Sequence, residues 1–249
     1  MAAPRVIAHR GDSSLRPENT LAAFAAALEA GADIVEIDVQ LTRDRHVVVI
    51  HDPSVDRTTN GRGAVADYDL RELRALSAGH PAVFGAAHAG ERVPTLIETL
   101  HFLKGRARLV VEIKGEAAAE GADDGGIEAL TLADIHRAGM LGEVALLSFD
   151  TAVLERCRAL DPQVPRGHLF YRAPVEQVLA KAETVAADFI LPEKGLLSPE
   201  LLERARAAGL RVATWLVDDP AELPGLLAYD LFGIGTNRPG ALLEALAAT

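Results

Sequence analysis

Short apolar runs alternate along this chain with longer amphipathic stretches, and the alternation predicts strands and helices in turn. Nine runs read as strands: Val6–His9, Ile34–Asp38, Val47–His51, Leu109–Lys114, Val144–Phe149, Arg166–Phe170, Asp188–Leu191, Arg211–Val217 and Phe232–Thr236. Most are continuous rather than alternating, the pattern of strands buried on both faces of a parallel sheet. Amphipathic runs ending near glycine precede several of them: LAAFAAALEAG before ADIVEID, HRAGMLG before EVALLSF, RARAAGL before RVATWLV. Glycine just past a helix is the usual left-handed cap. Leu21, Phe24, Ala25 and Leu28 keep the helical stripe spacing, and Ser198-Pro199-Glu200 is a helix start with a capping hydroxyl followed by proline. Strands alternating with helices imply right-handed βαβ crossovers.

A closed barrel needs eight staves, so one strand must lie outside it. Val47–His51 follows the second strand after only a few polar residues around Arg43-Asp44-Arg45. A parallel crossover needs about a dozen residues or more, so this pair is expected as an antiparallel hairpin. Folding near Asp44 returns His51 almost opposite Glu36. The expected fold is therefore α/β, a TIM (β/α)8 barrel with a small insertion after strand 2. It forms a single domain over residues 1–249, with 39–93 as hairpin plus insertion cap. Pro53–Val93 lacks strong periodicity and is too long for an ordinary βα loop. A helix is expected over Pro94–Leu103, and Gly115–Gly126 reads as a loose, mobile acidic loop.

Composition narrows the partners. The chain has 249 residues, 49% of them apolar and 24% charged, which supports a sizeable core. A net charge of −11 argues against nucleic acid and anionic membrane surfaces. The expected partner is a small molecule, with no stable membrane association; a homodimer is left open. An acidic protein that takes an anionic substrate needs a local cation, which a metal supplies better than a basic patch. Cys157 is the one cysteine, so no intrachain disulfide forms. With no secretory apolar segment in MAAPRVIAHRG, a cytoplasmic location is expected.

Charge breaks the apolar pattern at the C-terminal strand ends, the face that carries barrel active sites. His9-Arg10, Glu36 and Asp38, Glu112 and Lys114, Ser148, Trp215 and Asn237 fall there. Glu36/Asp38 and Glu112/Lys114 are i, i+2 pairs, so each pair faces one side of its strand. Three clustered carboxylates repel one another and take up protons unless a cation joins them. A hard divalent ion, Mg²⁺ or Ca²⁺, meets that need, and nothing here resembles a zinc set. Taken singly, each group has a plainer reading: His9 as a hydrogen-bonded core histidine, Arg10 as a salt-bridge partner of Glu36, Glu112 and Lys114 as a structural ion pair. Their gathering at one end of three adjacent strands favours a site. Trp215 is either core or an aromatic wall of the barrel mouth. Asp12, Asp52, Arg57 and Arg62 read as solvated loop charges. His46, His80, His88, His101, His136 and His168 read as surface or packing residues.

The segments AHRGDSSLRPENTLAAF, GADIVEIDVQLTRDRHVVVIHDPSVDRTTNGRG, VPTL, LVVEIKG, ATWLVDDP and GIGTNRP run nearly end to end. Together they resemble the glycerophosphodiester phosphodiesterase family, an α/β barrel with a small insertion after its second strand. The resemblance implies metal-dependent hydrolysis of glycerophosphodiesters to glycerol 3-phosphate and an alcohol. It makes Glu36, Asp38 and Glu112 the metal ligands and His9 and His51 the general acid and base. Arg10 and Lys114 hold the phosphoryl oxygens, while Glu18 and Asn19 support the first loop and can help the metal. The family's closing Ile-Thr-Asp is here Gly235-Thr236-Asn237, and its TVND element is here Leu216-Val217-Asp218-Asp219. After the sixth stave this chain has Pro192-Glu193-Lys194. These departures leave the catalytic set intact and fall on alcohol specificity. Other readings of the same barrel are a lysophospholipase D-like phosphodiesterase, a non-catalytic phosphate-ligand barrel, and a phosphosugar isomerase or aldolase using Lys114.

Overall fold

The structure is a computed structural model that describes residues 3–117 and 126–249. All nine expected strands occur: β1 Arg5–His9, β2 Ile34–Leu41, β3 Val47–Val49, β4 Arg108–Ile113, β5 Val144–Ser148, β6 Arg166–Phe170, β7 Phe189–Pro192, β8 Arg211–Thr214 and β9 Gly233–Thr236. Eight pair in parallel in the order β1-β2-β4-β5-β6-β7-β8-β9, and β9 closes on β1. This is a TIM barrel. β3 lies outside it, antiparallel to β2, with Val39 opposite Val49 and Leu41 opposite Val47. The connecting turn is closed by the Thr42 hydroxyl, which donates to Asp44 Oδ1 at 2.7 Å and accepts from the His46 amide at 2.9 Å. Continued two residues, that register sets position 51 beside Ile37, one residue from Glu36.

Strand alternation decides where charge can go. On β2, Val35, Ile37 and Val39 face outward onto helix residues Phe24, Ala27, Leu96, Leu100 and Leu103. Ile34, Glu36 and Asp38 take the opposite, inward side. Ile34 joins Ile7, Val110, Leu147, Leu169, Phe189, Leu191 and Ala213 in a cluster that fills the barrel. The inward set is thus apolar at the base and charged at the mouth.

The helices begin and end where backbone groups find local partners. Thr20 caps Leu21–Ala30, its side chain accepting from the Ala23 amide, and Gly31 ends that helix at φ +93°. The third stave, β4, is preceded by a helix over Leu96–Leu103, two residues shorter at its start than expected. Thr95 takes the cap and forms a reciprocal box with Glu98, which leaves Pro94 outside. Ser198 caps the helix Pro199–Ala207 as expected.

Residues 53–93 hold the short helices Leu70–Leu73 and Pro81–Phe84. Val55, Val65, Leu73, Ala78 and Val93 pack there against Val48 and Ile50 of the ribbon. The expected loop over Gly115–Gly126 lies largely outside the described residues. No described helix is long and apolar enough to cross a membrane.

Candidate active site

The barrel register gathers the charges from three neighbouring staves. His9 pairs with Glu36 across β1 and β2, and Asp38 pairs with Glu112 across β2 and β4. One carboxylate oxygen from each of Glu36, Asp38 and Glu112 lies within 4.8 Å of the others, and all three residues are buried. Lys114 Nζ sits 2.7 Å from Asp38 Oδ1 and donates to Glu112 Oε1 at 2.6 Å. Arg10 Nε lies 3.1 Å from Asp38 Oδ2, and its Nη1 donates to Glu18 Oε1 at 2.8 Å. The Arg10 salt bridge weighed for Glu36 goes instead to Asp38 and Glu18. Glu36 Oε2 accepts from the Arg10 backbone amide at 3.1 Å. Asn19 donates from Nδ2 to Asp38 Oδ2 at 2.9 Å.

The first loop reaches these contacts through a left-handed turn at Arg10 (φ +57°) and Gly11 (φ +82°). A Cβ at Gly11 would stand 2.6 Å from the Ala23 carbonyl carbon, so only glycine lets the loop press onto its helix. Asp12 is anchored there, its amide donating to the Ala23 carbonyl at 2.9 Å, and it is buried. That corrects its assignment as a solvated charge.

Burial lifts Glu36 well above the ordinary carboxylate range, with repulsion from Asp38 and Glu112 adding to it. Burial and Asp38 together push Glu112 up to about 7 against the pull of Lys114. Burial opposes the Asp38 charge too, but Arg10 and Lys114 outweigh it and hold that carboxyl well below its usual range. Asp38 Oδ1 is buried without an aligned hydrogen bond, despite the nearby ammonium. Three buried carboxylates facing two cations can all stay ionised only if a further cation joins them, and Asp38 keeps an unmet acceptor. That all-oxygen donor set fits a hard divalent ion.

Both imidazoles face the same cavity of about 240 Å³, with Arg10, Glu36, Glu112 and Lys114 on its polar side. Ile7, Leu147, Leu169, Leu191 and Trp215 form the apolar side. Trp215 Nε1 donates to the Leu191 carbonyl at 3.0 Å, and Phe149 meets the indole edge-on at 5.7 Å. His9 Nδ1 is 2.7 Å from Asn237 Oδ1, and His51 Nδ1 is 2.5 Å from Asp52 Oδ1. Burial and the neighbouring Arg10 lower the His9 pKa to about 4, so it is neutral near pH 7.

Asp52 is half-buried, and Arg57, exposed as expected, is nonetheless tied down by ion pairs. Arg57 Nε donates to Asp52 Oδ2 at 2.7 Å, and its Nη1 to Glu18 Oε2 at 2.6 Å. A chain of alternating charge therefore runs Asp52–Arg57–Glu18–Arg10–Asp38, with the His51 imidazole against its Asp52 end. Asp52 follows His51 directly in the sequence, a signal that could have found it. Arg57 lies 39 positions from Glu18, and no local pattern links them. Arg62 is exposed, as expected. Among the unassigned histidines, His168 is buried and stacked on Phe170, while His46, His101 and His136 are exposed.

The chain has counterparts among known proteins. The model of the glycerophosphoryl diester phosphodiesterase family matches residues 9–241. The chain belongs to that family. It is accordingly a phosphoric diester hydrolase. A glycerophosphodiester phosphodiesterase from Caldanaerobacter subterraneus subsp. tengcongensis is 38% identical over 240 residues, which cover 96% of each chain. Among solved structures, an Oleispira antarctica phosphodiesterase in complex with the product sn-glycerol-3-phosphate superposes with a TM-score of 0.88. It is 28% identical over 98% of this chain and 97% of its own. A glycerophosphodiester phosphodiesterase from Agrobacterium tumefaciens str. C58 superposes at 0.84, with 28% identity over 99% and 100% of the two chains.

Proposed function

We propose that this enzyme hydrolyses glycerophosphodiesters to glycerol 3-phosphate and an alcohol, using His9 and His51 as its proton-transfer pair. The observation that carries this reading is the buried Glu36–Asp38–Glu112 cluster, set beside Arg10, Lys114 and two imidazoles on one cavity. The product bound by the Oleispira relative supports the same substrate class.

A phosphodiester is a slow electrophile because its charged oxygens repel a nucleophile. Held by Glu36, Asp38 and Glu112, a divalent ion such as Mg²⁺ or Ca²⁺ would supply positive charge at the phosphoryl group. Arg10 and Lys114 add two cations to the same oxygens, the electrostatic contribution that is usually the largest. One imidazole takes the proton of the attacking hydroxyl and the other gives one to the departing alkoxide, each worth roughly 10²–10⁴-fold. Glu18 and Asn19 hold Arg10 and Asp38 in place. Trp215 and the apolar wall shape the side where the non-ionic part of the substrate rests.

We further propose a single domain over 1–249, with 39–93 as hairpin and cap; Arg57 carries that cap to the polar half of the mouth. The buried Cys157 thiol suits a reducing compartment, hence the cytoplasm. The test is a turnover panel of glycerophosphodiesters with Mg²⁺, Mn²⁺, Ca²⁺ and EDTA, on wild type and His9→Gln. Ion-dependent release of glycerol 3-phosphate, lost in the variant, is expected. Full turnover in EDTA, or wild-type kcat in His9→Gln, would overturn the proposal.

A further inference from the structure

The two imidazoles have different partners behind them. His51 Nδ1 faces the Asp52 carboxylate, whereas His9 Nδ1 faces the side-chain amide of Asn237. An amide has one accepting end and one donating end, so its orientation decides what it can offer. Asn237 is fixed on its far side by Asp218. Its backbone amide reaches Asp218 Oδ1 at 2.7 Å, and its Nδ2 reaches Asp218 Oδ2 at 2.7 Å. Asp218 Oδ1 also accepts from the Thr236 hydroxyl at 3.0 Å.

An ionised carboxylate only accepts, so the end of the amide that touches Asp218 must be the NH₂. The oxygen Oδ1 then points at His9, where it also takes the Ser13 hydroxyl at 2.9 Å. At 2.7 Å from an acceptor, His9 Nδ1 has to carry a hydrogen. A neutral imidazole with hydrogen on Nδ1 has its lone pair on Nε2.

We propose that Asn237, oriented by Asp218, is the positioning residue that locks neutral His9 in its Nδ1–H tautomer, leaving Nε2 as the proton acceptor of the reaction. This deepens the proposed phosphodiester hydrolysis and rests on it. The proton of the attacking hydroxyl, either a water's or the neighbouring glycerol hydroxyl's with water opening the cyclic phosphate afterwards, passes to His9 Nε2, and the electron pair of that O–H bond becomes the new P–O bond. The P–O bond to the alcohol breaks onto its oxygen, which takes a proton from His51. Asp218 is not among the residues lining the cavity, yet reversing the Asn237 amide would present its NH₂ to His9 and stabilise the opposite tautomer.

The tautomer is measurable without turnover. Long-range ¹H–¹⁵N correlation spectra of the full chain with Mg²⁺ at pH 7.5 distinguish Nδ1–H from Nε2–H, with His9 assigned by difference from His9→Gln. The expected wild-type pattern is Nδ1–H. In Asn237→Ala the His9 signals should move to an Nε2–H or mixed pattern, with kcat falling about 10²-fold and KM nearly unchanged. Asn237→Asp alone sets two carboxylates against each other and should lose kcat, and adding Asp218→Asn should recover most of it. An Nε2–H pattern in wild type overturns the proposal even if every variant misfolds. So does an Asn237→Ala protein that keeps either the tautomer or kcat, or an exchange variant that recovers nothing. Wild-type kcat in His9→Gln would instead remove the proton-transfer role of His9, and a wild-type protein that releases no glycerol 3-phosphate with any ion would remove the hydrolytic assignment, so the failures are separable.

Discussion

Replacing Lys114 with methionine removes one of the two cations that balance the buried carboxylates. Its ammonium is 2.7 Å from Asp38 and 2.6 Å from Glu112, with a side chain only 10% exposed. Removing one partner of a buried ion pair costs about 3–5 kcal/mol. Here the loss is expected at about 3 kcal/mol, because Glu112 is already pushed up to about 7. Without the lysine it takes a proton near neutral pH rather than remain an unpaired charge. In EDTA, Lys114→Met should therefore melt about 6–12 °C below wild type, the shift that about 3 kcal/mol produces in a chain of this size. In saturating Mg²⁺ the gap should narrow, because a divalent ion replaces the missing charge and stabilises the folded state that binds it. The assay is thermal unfolding of both proteins with and without Mg²⁺. A gap under about 1 kcal/mol in EDTA, or one that Mg²⁺ leaves unchanged, would refute the reasoning.

Two other outcomes follow from the geometry. Because His9 is held at about 4 in the folded chain against 6.5 for the free side chain, the unfolded state binds the extra proton between those values. Stability contributed by neutral His9 is thus complete above pH 6.5 and lost as pH falls toward 4, by about 3 kcal/mol; urea titrations should show His9→Gln losing less over that window than wild type. Arg57→Met unties Asp52 from Glu18, and about a tenfold fall in kcat with modest loss of Tm is expected; steady-state kinetics showing wild-type kcat would sever that chain from catalysis.

Much of this site was legible because one strand carries its own parity. Glu36 and Asp38, two apart, had to share a side of β2, and the short loop around Asp44 could only make a hairpin. The charge chain was hidden because it crosses elements: Glu18 belongs to the first loop, Arg57 to the insertion, and the pairing of β1 with β2 brings them within 2.6 Å. The same holds for Asn237 and His9, which lie 228 positions apart and meet because β9 closes on β1. Asp12 was misjudged for a local reason. Its burial depends on Gly11 adopting a backbone that composition does not reveal, pressed against Ala23. Helix starts were misplaced by two residues where a capping box competed with proline, as at Thr95.

The central claim is that Glu36, Asp38 and Glu112 share one hard cation at the mouth of the barrel. Mn²⁺ binding followed by electron paramagnetic resonance reads this directly, on wild type and on Glu36→Gln/Asp38→Asn/Glu112→Gln. A single tight equivalent is expected in wild type and none in the triple variant, whose cavity keeps both imidazoles. Equal Mn²⁺ binding by the two proteins would contradict it.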